Sequence, residues 1–188
     1  MKLFEPIKIG NVELKNRVIM APMENGMAEV GTGEATDRII AFFEERAQHN
    51  IAMIMPGSIG VSPEGRGLPT QLSLFDEKQV AGHKRLVDAI HNKGSLVAAQ
   101  LYHAGRQASE AITGLDPLAP SAIPCGILQN HPKEITHEQM DRIKEQFRQA
   151  ARWSIEAGYD IVEVHFAHGY LLHSFMSTHT NHRTEDRK

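Results

Sequence analysis

A single cysteine, Cys125, stands in a chain of 188 residues. One thiol cannot form an intrachain disulfide, a Cys-rich zinc site or an iron–sulfur cluster held by this chain alone. Within Ser121-Ala122-Ile123-Pro124-Cys125-Gly126 it reads as a loop thiol. Excess positive charge is absent too: 20 Lys and Arg face 23 Asp and Glu, leaving a formal net charge of -3. There is no basic field to draw the chain onto nucleic acid or anionic lipid, so the expected partner is a small molecule. The start, Met1-Lys2-Leu3-Phe4-Glu5-Pro6, lacks the basic, apolar and cleavage regions of a signal peptide. No uninterrupted apolar run approaches the roughly 20 residues of a membrane helix, and a cytoplasmic location is expected.

What is present is the composition of a globular domain, 41% hydrophobic and 23% charged, with one domain over 1–188 as the expectation. Short apolar runs alternate with helical patterns, the mark of βαβ units and a parallel sheet. The runs are Arg17 to Met23, Ile51 to Ile59, Ser95 to Leu101 and Asp160 to His165. Between them, Ile39, Ile40, Phe42, Phe43 and Ala47 share a helical face, as do Val80, Leu86, Val87 and Ile90, and then Met140, Ile143, Phe147, Ala150, Ala151 and Ile155. Asp76 with Gln79 and Thr136 with Gln139 make capping boxes, while Gly94 and Gly158 stand where left-handed C-terminal caps belong. A long loop from about Arg106 to Ile135 reads as functional because such loops are uncommon in compact domains. Right-handed crossovers would place the helices on one outer side, as in a (β/α)₈ barrel; on pattern alone a doubly wound open sheet fits nearly as well.

In parallel folds ligands bind at the C-terminal ends of the strands. Ala21-Pro22-Met23, Gly57-Ser58, Gln100, His103 and His165-Phe166-Ala167-His168-Gly169-Tyr170 are expected on that face. Imidazoles donate hydrogen bonds to a carbonyl or phenolate oxygen, and a phenol donates a proton to a developing carbanion. That set suits reduction of an activated alkene. Closely spaced histidines also bind zinc, with His173, His179 and His182 nearby, so a metal site and a merely structural strand end stay open at this point.

The stretch from His165 through Gly169-Tyr170-Leu171 to Asn181-His182-Arg183-Thr184 resembles the old yellow enzyme family, in which His-x-x-His (or Asn)-Gly-Tyr-Leu closes the fourth strand. Leu3-Phe4-Glu5-Pro6, Leu14-Lys15-Asn16-Arg17, Ala21-Pro22-Met23, Ser62-Pro63-Glu64-Gly65-Arg66 and Gln100-Leu101-Tyr102-His103-Ala104-Gly105-Arg106 follow in the family's order. The resemblance implies an α/β fold of the (β/α)₈ barrel family, with only the N-terminal half, about four βα units, in this chain. It implies FMN as cofactor with NADH or NADPH as reductant, and an activated alkene (enone, enal, nitroalkene or enoyl thioester) as substrate. Ala21, Pro22, Met23, Ser58 and Gln100 would then hold the flavin. His165 and His168 would hold the substrate oxygen, and Tyr170 would donate the proton. Two departures stand out: Glu24 occupies the place of a usual Thr or Cys, and Thr184-Glu185-Asp186-Arg187 replaces Thr-Asp-x-Tyr-Gly-Gly. In this family the groups for the flavin phosphate come from the second half, so FMN binding by this chain is expected to be weak or absent. Open sheet edges invite pairing with a second copy, a homo-oligomer. The alternatives are a His-coordinated metal-dependent hydrolase and a non-catalytic, self-associating half-barrel.

Overall fold

The computed structural model describes residues 1–128 and 130–184; the departing charged ending, 185–188, lies outside the described residues. The chain opens with an antiparallel hairpin, β1 (Ile7–Ile9) and β2 (Val12–Leu14). It continues through β3 (Ile19–Met20), α1 (Asp37–Ala47), β4 (Met53–Ile54), β5 (Ser58–Gly60), α2 (Val80–His91) and β6 (Leu96–Tyr102). After β6 come α3 (Glu110–Thr113), β7 (Leu118–Ala119), β8 (Lys133–Glu134), α4 (His137–Glu156), β9 (Ile161–Val164) and α5 (Leu171–Met176).

The main sheet is parallel throughout. β3 pairs with β4, β4 with the start of β6, β5 with the end of β6, and β9 with the other edge of β6. β4 and β5 are thus one strand position bent in the middle, which corrects the expectation of a continuous strand from Ile51 to Ile59. The physical reason is local: Pro56 cannot donate to a ladder, and Gly57 takes φ +101, leaving the strand direction there. A Cβ at Gly57 would stand 3.2 Å from the Met23 carbonyl oxygen, so this bend presses two strand ends together. The first strand is also shorter than its apolar run, Ile19–Met20 rather than Arg17 to Met23. Among the described residues β3 has a neighbour on one side only, which limits its ladder. The expected long loop contains α3, β7 and β8; Leu118 and Ile135 anchor it against Ile143 of α4 and Leu171 of α5.

Helices form where apolar residues recur every three or four positions, and they dock by that stripe. α1 buries Ile39, Phe43 and Ala47; α2 buries Val80, His83, Leu86, Val87 and Ile90. Both meet Ile54, Val97, Ala99 and Leu101 of the sheet, with Ala150 of α4 completing the same core. Each fully buried Leu, Ile or Phe contributes about 1.5–3 kcal/mol to keeping this interface closed. The Thr36 hydroxyl caps α1, and Thr136 with Gln139 forms a complete capping box on α4, satisfying N–H groups that a helix start leaves unpaired. On the opposite face of the sheet, the β2 residue Leu14 packs with Ala52, Met53, Met55 and Ala98, and Val12, Leu96 and Ile161 join them. Because Met53, Leu96 and Ile161 open their strands, the hairpin closes the N-terminal end of the sheet and leaves the C-terminal end open. Four parallel strand positions with helices outside are the first half of a (β/α)₈ barrel. No helix among the described residues is long and apolar enough to cross a membrane.

Candidate functional site

The C-terminal strand ends form two walls of one cavity of about 420 Å³. Its lining includes Pro22, Met23, Glu24, Ser58, Gln100, Glu163, His165, His168 and Tyr170. The chain segments meet here because the sheet is parallel: every strand delivers its last residues to the same edge. Of the residues expected at a flavin and substrate site, Ala21 alone is not among the lining residues, although the sequence places it directly beside Pro22.

The first wall is built around a carboxylate. Glu24 Oε1 accepts from the Ser58 backbone N–H at 2.9 Å and from the Ser58 hydroxyl at 2.7 Å. The Gln71 amide nitrogen donates to Ser58 Oγ at 2.9 Å and reaches Glu24 Oε1 at 3.4 Å, while its carbonyl oxygen accepts the Gly67 N–H at 2.9 Å. Glu24 is exposed as a residue, yet its carboxyl end is turned against these groups. Desolvation there raises its pKa even though the Ser58 and Gln71 hydrogen bonds favour the anion. Across the cavity floor, the Gln100 amide nitrogen donates to Glu163 Oε1 at 2.5 Å. Both Ser58 and Gln100 therefore have acidic partners from within the chain.

The second wall is aromatic. The His165 backbone N–H extends the β9 ladder by donating to the Leu101 carbonyl, and the buried ring sits at the strand end. His165 Nδ1 accepts the Ala167 N–H at 3.1 Å, so the neutral ring carries its proton on Nε2. Burial lowers the His165 pKa, and neighbouring His168 lowers it further. The ring centroids of His165 lie 5.1 Å from His168 and 5.1 Å from Tyr170, with His168 and Tyr170 6.2 Å apart. Beneath them, buried Tyr102 meets Tyr170 edge to face at 4.6 Å. Burial, and then the charge of Glu24, raises the Tyr170 pKa, so its phenol stays protonated at neutral pH. A neutral N–H donor and a protonated phenol side by side can bind an oxygen and deliver a proton.

The junction between the walls is tight. Gly105, at φ +61, lies so close to α5 that a Cβ there would stand 2.7 Å from Leu171 Cα and 2.8 Å from its nitrogen. His103 is buried with Nδ1 accepting the Gly105 N–H, and its carbonyl accepts the Leu171 N–H. It orders the junction and is not among the cavity's lining residues. His173 Nδ1 accepts the Gly169 N–H, which engages one of its two ring nitrogens, and His173 is not among the cavity's lining residues. Among the described residues no group of three His, Cys, Asp or Glu side chains could hold a metal ion.

Sequence reading missed Glu163, Gln71 and Tyr102. An acidic residue inside an otherwise apolar parallel strand was the available signal for Glu163. Gln71 lies in a loop and gave none, and Tyr102 was hidden inside an apolar strand end. A larger groove of about 550 Å³ runs between α4 and α5 along Val164 and Phe166, but apart from Lys144 and Arg148 its lining is apolar and offers no acid–base pair.

The family described as NADH:flavin oxidoreductase / NADH oxidase matches residues 2–187. The chain is 38% identical over 185 residues to the NADH oxidase of Thermoanaerobacter brockii, covering 97% of this chain and 28% of that protein. It is 37% identical over 185 residues to the NADPH dehydrogenase of Bacillus velezensis, covering 98% of this chain and 54% of that one. The crystal structure of Old Yellow Enzyme from Pichia sp. AKU4542 superposes with a TM-score of 0.89 at 33% identity, over 98% of this chain and 50% of that chain. The chain thus spans about half the length of the dehydrogenase and of Old Yellow Enzyme, and about a quarter of the oxidase.

Proposed function

The chain belongs to the NADH:flavin oxidoreductase / NADH oxidase family, the old yellow enzyme family, and from that membership we propose that it forms the substrate-facing half of an FMN-dependent reductase of activated carbon–carbon double bonds. One observation carries the reading: two imidazoles and a phenol share a cavity with an amide and a hydroxyl suited to the polar edge of a planar ring. Pro22, Met23, Ser58 and Gln100 would hold the flavin ring, with Ala21 beside them. The fit covers the ring end of FMN alone, since none of the cavity's lining residues is Lys or Arg. This chain by itself therefore binds FMN weakly. Bound flavin would supply the hydride, taken from NADH or NADPH, that adds to the β-carbon of an enone, enal or enoyl thioester.

The chain's own residues do the rest. His165 and His168 donate hydrogen bonds to the carbonyl oxygen, where negative charge accumulates as the β-carbon is attacked. The low pKa of His165 keeps it a neutral donor at physiological pH. Tyr170 gives its phenolic proton to the α-carbon, and its raised pKa ensures the proton is there to give. The test is reduction of 2-cyclohexenone by NADPH in the FMN-loaded protein. Turnover that is lost in His165→Ala and Tyr170→Phe supports the reading; no flavin binding and no turnover, with FMN in excess, sinks it.

A further inference from the structure

His168 is held in an uncommon backbone conformation. Its φ is +59, in the left-handed region, and Gly169 follows at φ +76. A non-glycine residue persists there only when its surroundings over-determine it, and such residues gather at functional sites. Three contacts do so here. The Gln107 amide nitrogen donates to the His168 carbonyl oxygen at 2.7 Å. The Gly169 N–H donates to His173 Nδ1 at 2.8 Å, and the Ser174 hydroxyl donates to the Gly169 carbonyl at 3.0 Å. His173 and Ser174 belong to α5, the helix that follows directly, and hold the turn from its own side. Gln107 comes from the turn after β6, on the neighbouring strand, and is the long-range tie. Its amide lies close over the turn, so that a Cβ at Gly169 would stand 3.1 Å from Gln107 Nε2.

We propose that Gln107 is a positioning residue for His168: by holding the His168 carbonyl it fixes the left-handed turn, and the turn aims the His168 ring at His165 and Tyr170. The inference rests on the reading of His168 as a donor to the substrate oxygen, but its structural half stands apart from that reading. Without the Gln107 tie, the peptide after His168 can rotate toward the ordinary right-handed or extended regions. The Cα–Cβ bond then swings, and the ring leaves the 5.1 Å contact with His165. Gln107 itself is not among the residues lining the cavity, so its effect on a substrate passes through His168.

Three variants separate positioning from simple loop stability. Gln107→Leu removes the donor, Gln107→Glu keeps the shape but faces the carbonyl with a carboxylate, and Gln107→Lys restores a donor of sufficient reach. The first measurement is made on the ligand-free protein: imidazole resonances of His168 and its ring contacts to Tyr170, by NMR. Loss of those contacts in the Leu and Glu variants and their return in the Lys variant is the expected result. In the FMN-loaded protein, kcat/KM for 2-cyclohexenone falls about tenfold in the same two variants, the factor that loss of one ordinary hydrogen bond gives, and recovers with Lys. Unchanged His168–Tyr170 contacts in both Leu and Glu variants overturn the proposal, whatever the turnover. If the unmutated protein fails to reduce the enone, the functional reading falls, while the NMR comparison still decides the role of Gln107. Should the Leu variant not fold, Glu against Lys carries the decision.

Discussion

The two walls of the cavity are ordered by different forces. Around Glu24, Ser58 and Gln71 the polar atoms are satisfied by one another, and Gln100 is likewise engaged by Glu163. Around His165, His168 and Tyr170 hydrogen bonds fix the backbone, as from Gln107 to the His168 carbonyl, while the rings themselves meet edge to face, and among the described residues neither the His168 ring nor the Tyr170 hydroxyl makes a hydrogen bond. Backbone hydrogen bonds and ring packing hold the second wall in place without spending its side-chain donors, so these remain available to a ligand. The first wall must exchange internal hydrogen bonds for external ones when anything binds against it, which costs part of what binding gains.

The largest effect is expected where the walls join. Gly105→Ala forces a Cβ into the Leu171 backbone at a left-handed position, and both the contact and the dihedral oppose it. We expect destabilisation of about 3 kcal/mol or failure to fold, read by chemical denaturation. A drop below about 1 kcal/mol would mean that the aromatic wall is not pinned to the β6 turn by this contact.

Titration distinguishes the walls by sign. Burial pushes His103, behind the aromatic wall, down to about 4, with Glu64 pulling it up and Arg142 pushing it further down. A histidine whose folded pKa lies below its ordinary value contributes stability in full above pH 6.5 and loses it as pH falls toward 4. Glu24 on the other wall is raised, so its contribution is present at low pH and declines as pH rises. Buried His83, bonded to Tyr159 and to the Ser73 carbonyl, is also pushed down to about 4 and adds to the histidine slope. Stability should therefore fall from pH 6.5 to 4, by on the order of 3 kcal/mol per fully buried ring. Denaturation midpoints across that range test this. His103→Asn, which keeps an acceptor for the Gly105 N–H, should flatten the slope by up to about half, because His83 is then the fully buried ring that remains, with His165 shifted in the same direction.

A chemical test comes next in size. Tyr170→Phe keeps the ring that packs on Tyr102 and His165 but removes the proton. Turnover of an enone should drop about a hundredfold, the scale of general-acid catalysis, with thermal stability nearly unchanged. A variant that retains full turnover would assign proton delivery to another group and leave the aromatic wall as packing alone.

The aromatic wall was legible in the sequence because its residues are close in the chain: His165, His168 and Tyr170 occupy one strand end and one turn. The carboxylate-centred wall was not, since Glu24, Ser58 and Gln71 are far apart and only folding shows that Gln71 bridges them. Helices were read well from their apolar stripes and capping boxes, down to Thr136. The third and fourth strands were read to within one residue at each end, whereas the first two runs overshoot their strands. Apolar runs mark burial, whereas a strand also needs an N–H at each ladder position and a neighbour to pair with, which Pro56 and the edge position of β3 deny. His168 carries no sequence sign of its left-handed turn beyond the Gly169 that follows it.

The smallest expected effect decides whether the first wall belongs to the chemistry at all. Glu24 holds both the N–H and the hydroxyl of Ser58, so Glu24→Thr does two things at once: it removes a carboxylate from beside the proposed flavin and it frees the Ser58 donors. A negative charge disfavours an anionic reduced ring, and freed donors favour it, so both changes push the flavin potential upward. The expected rise is about 30 mV for a two-electron couple, measured by redox titration of the FMN-loaded protein. The same carboxylate contributes to the raised pKa of Tyr170, so in the variant the alkaline limb of the pH–rate profile should move to lower pH. A raised potential with an unmoved limb would confine Glu24 to the flavin. An unchanged potential would take Glu24 out of the site and leave the aromatic wall to carry the chemistry alone.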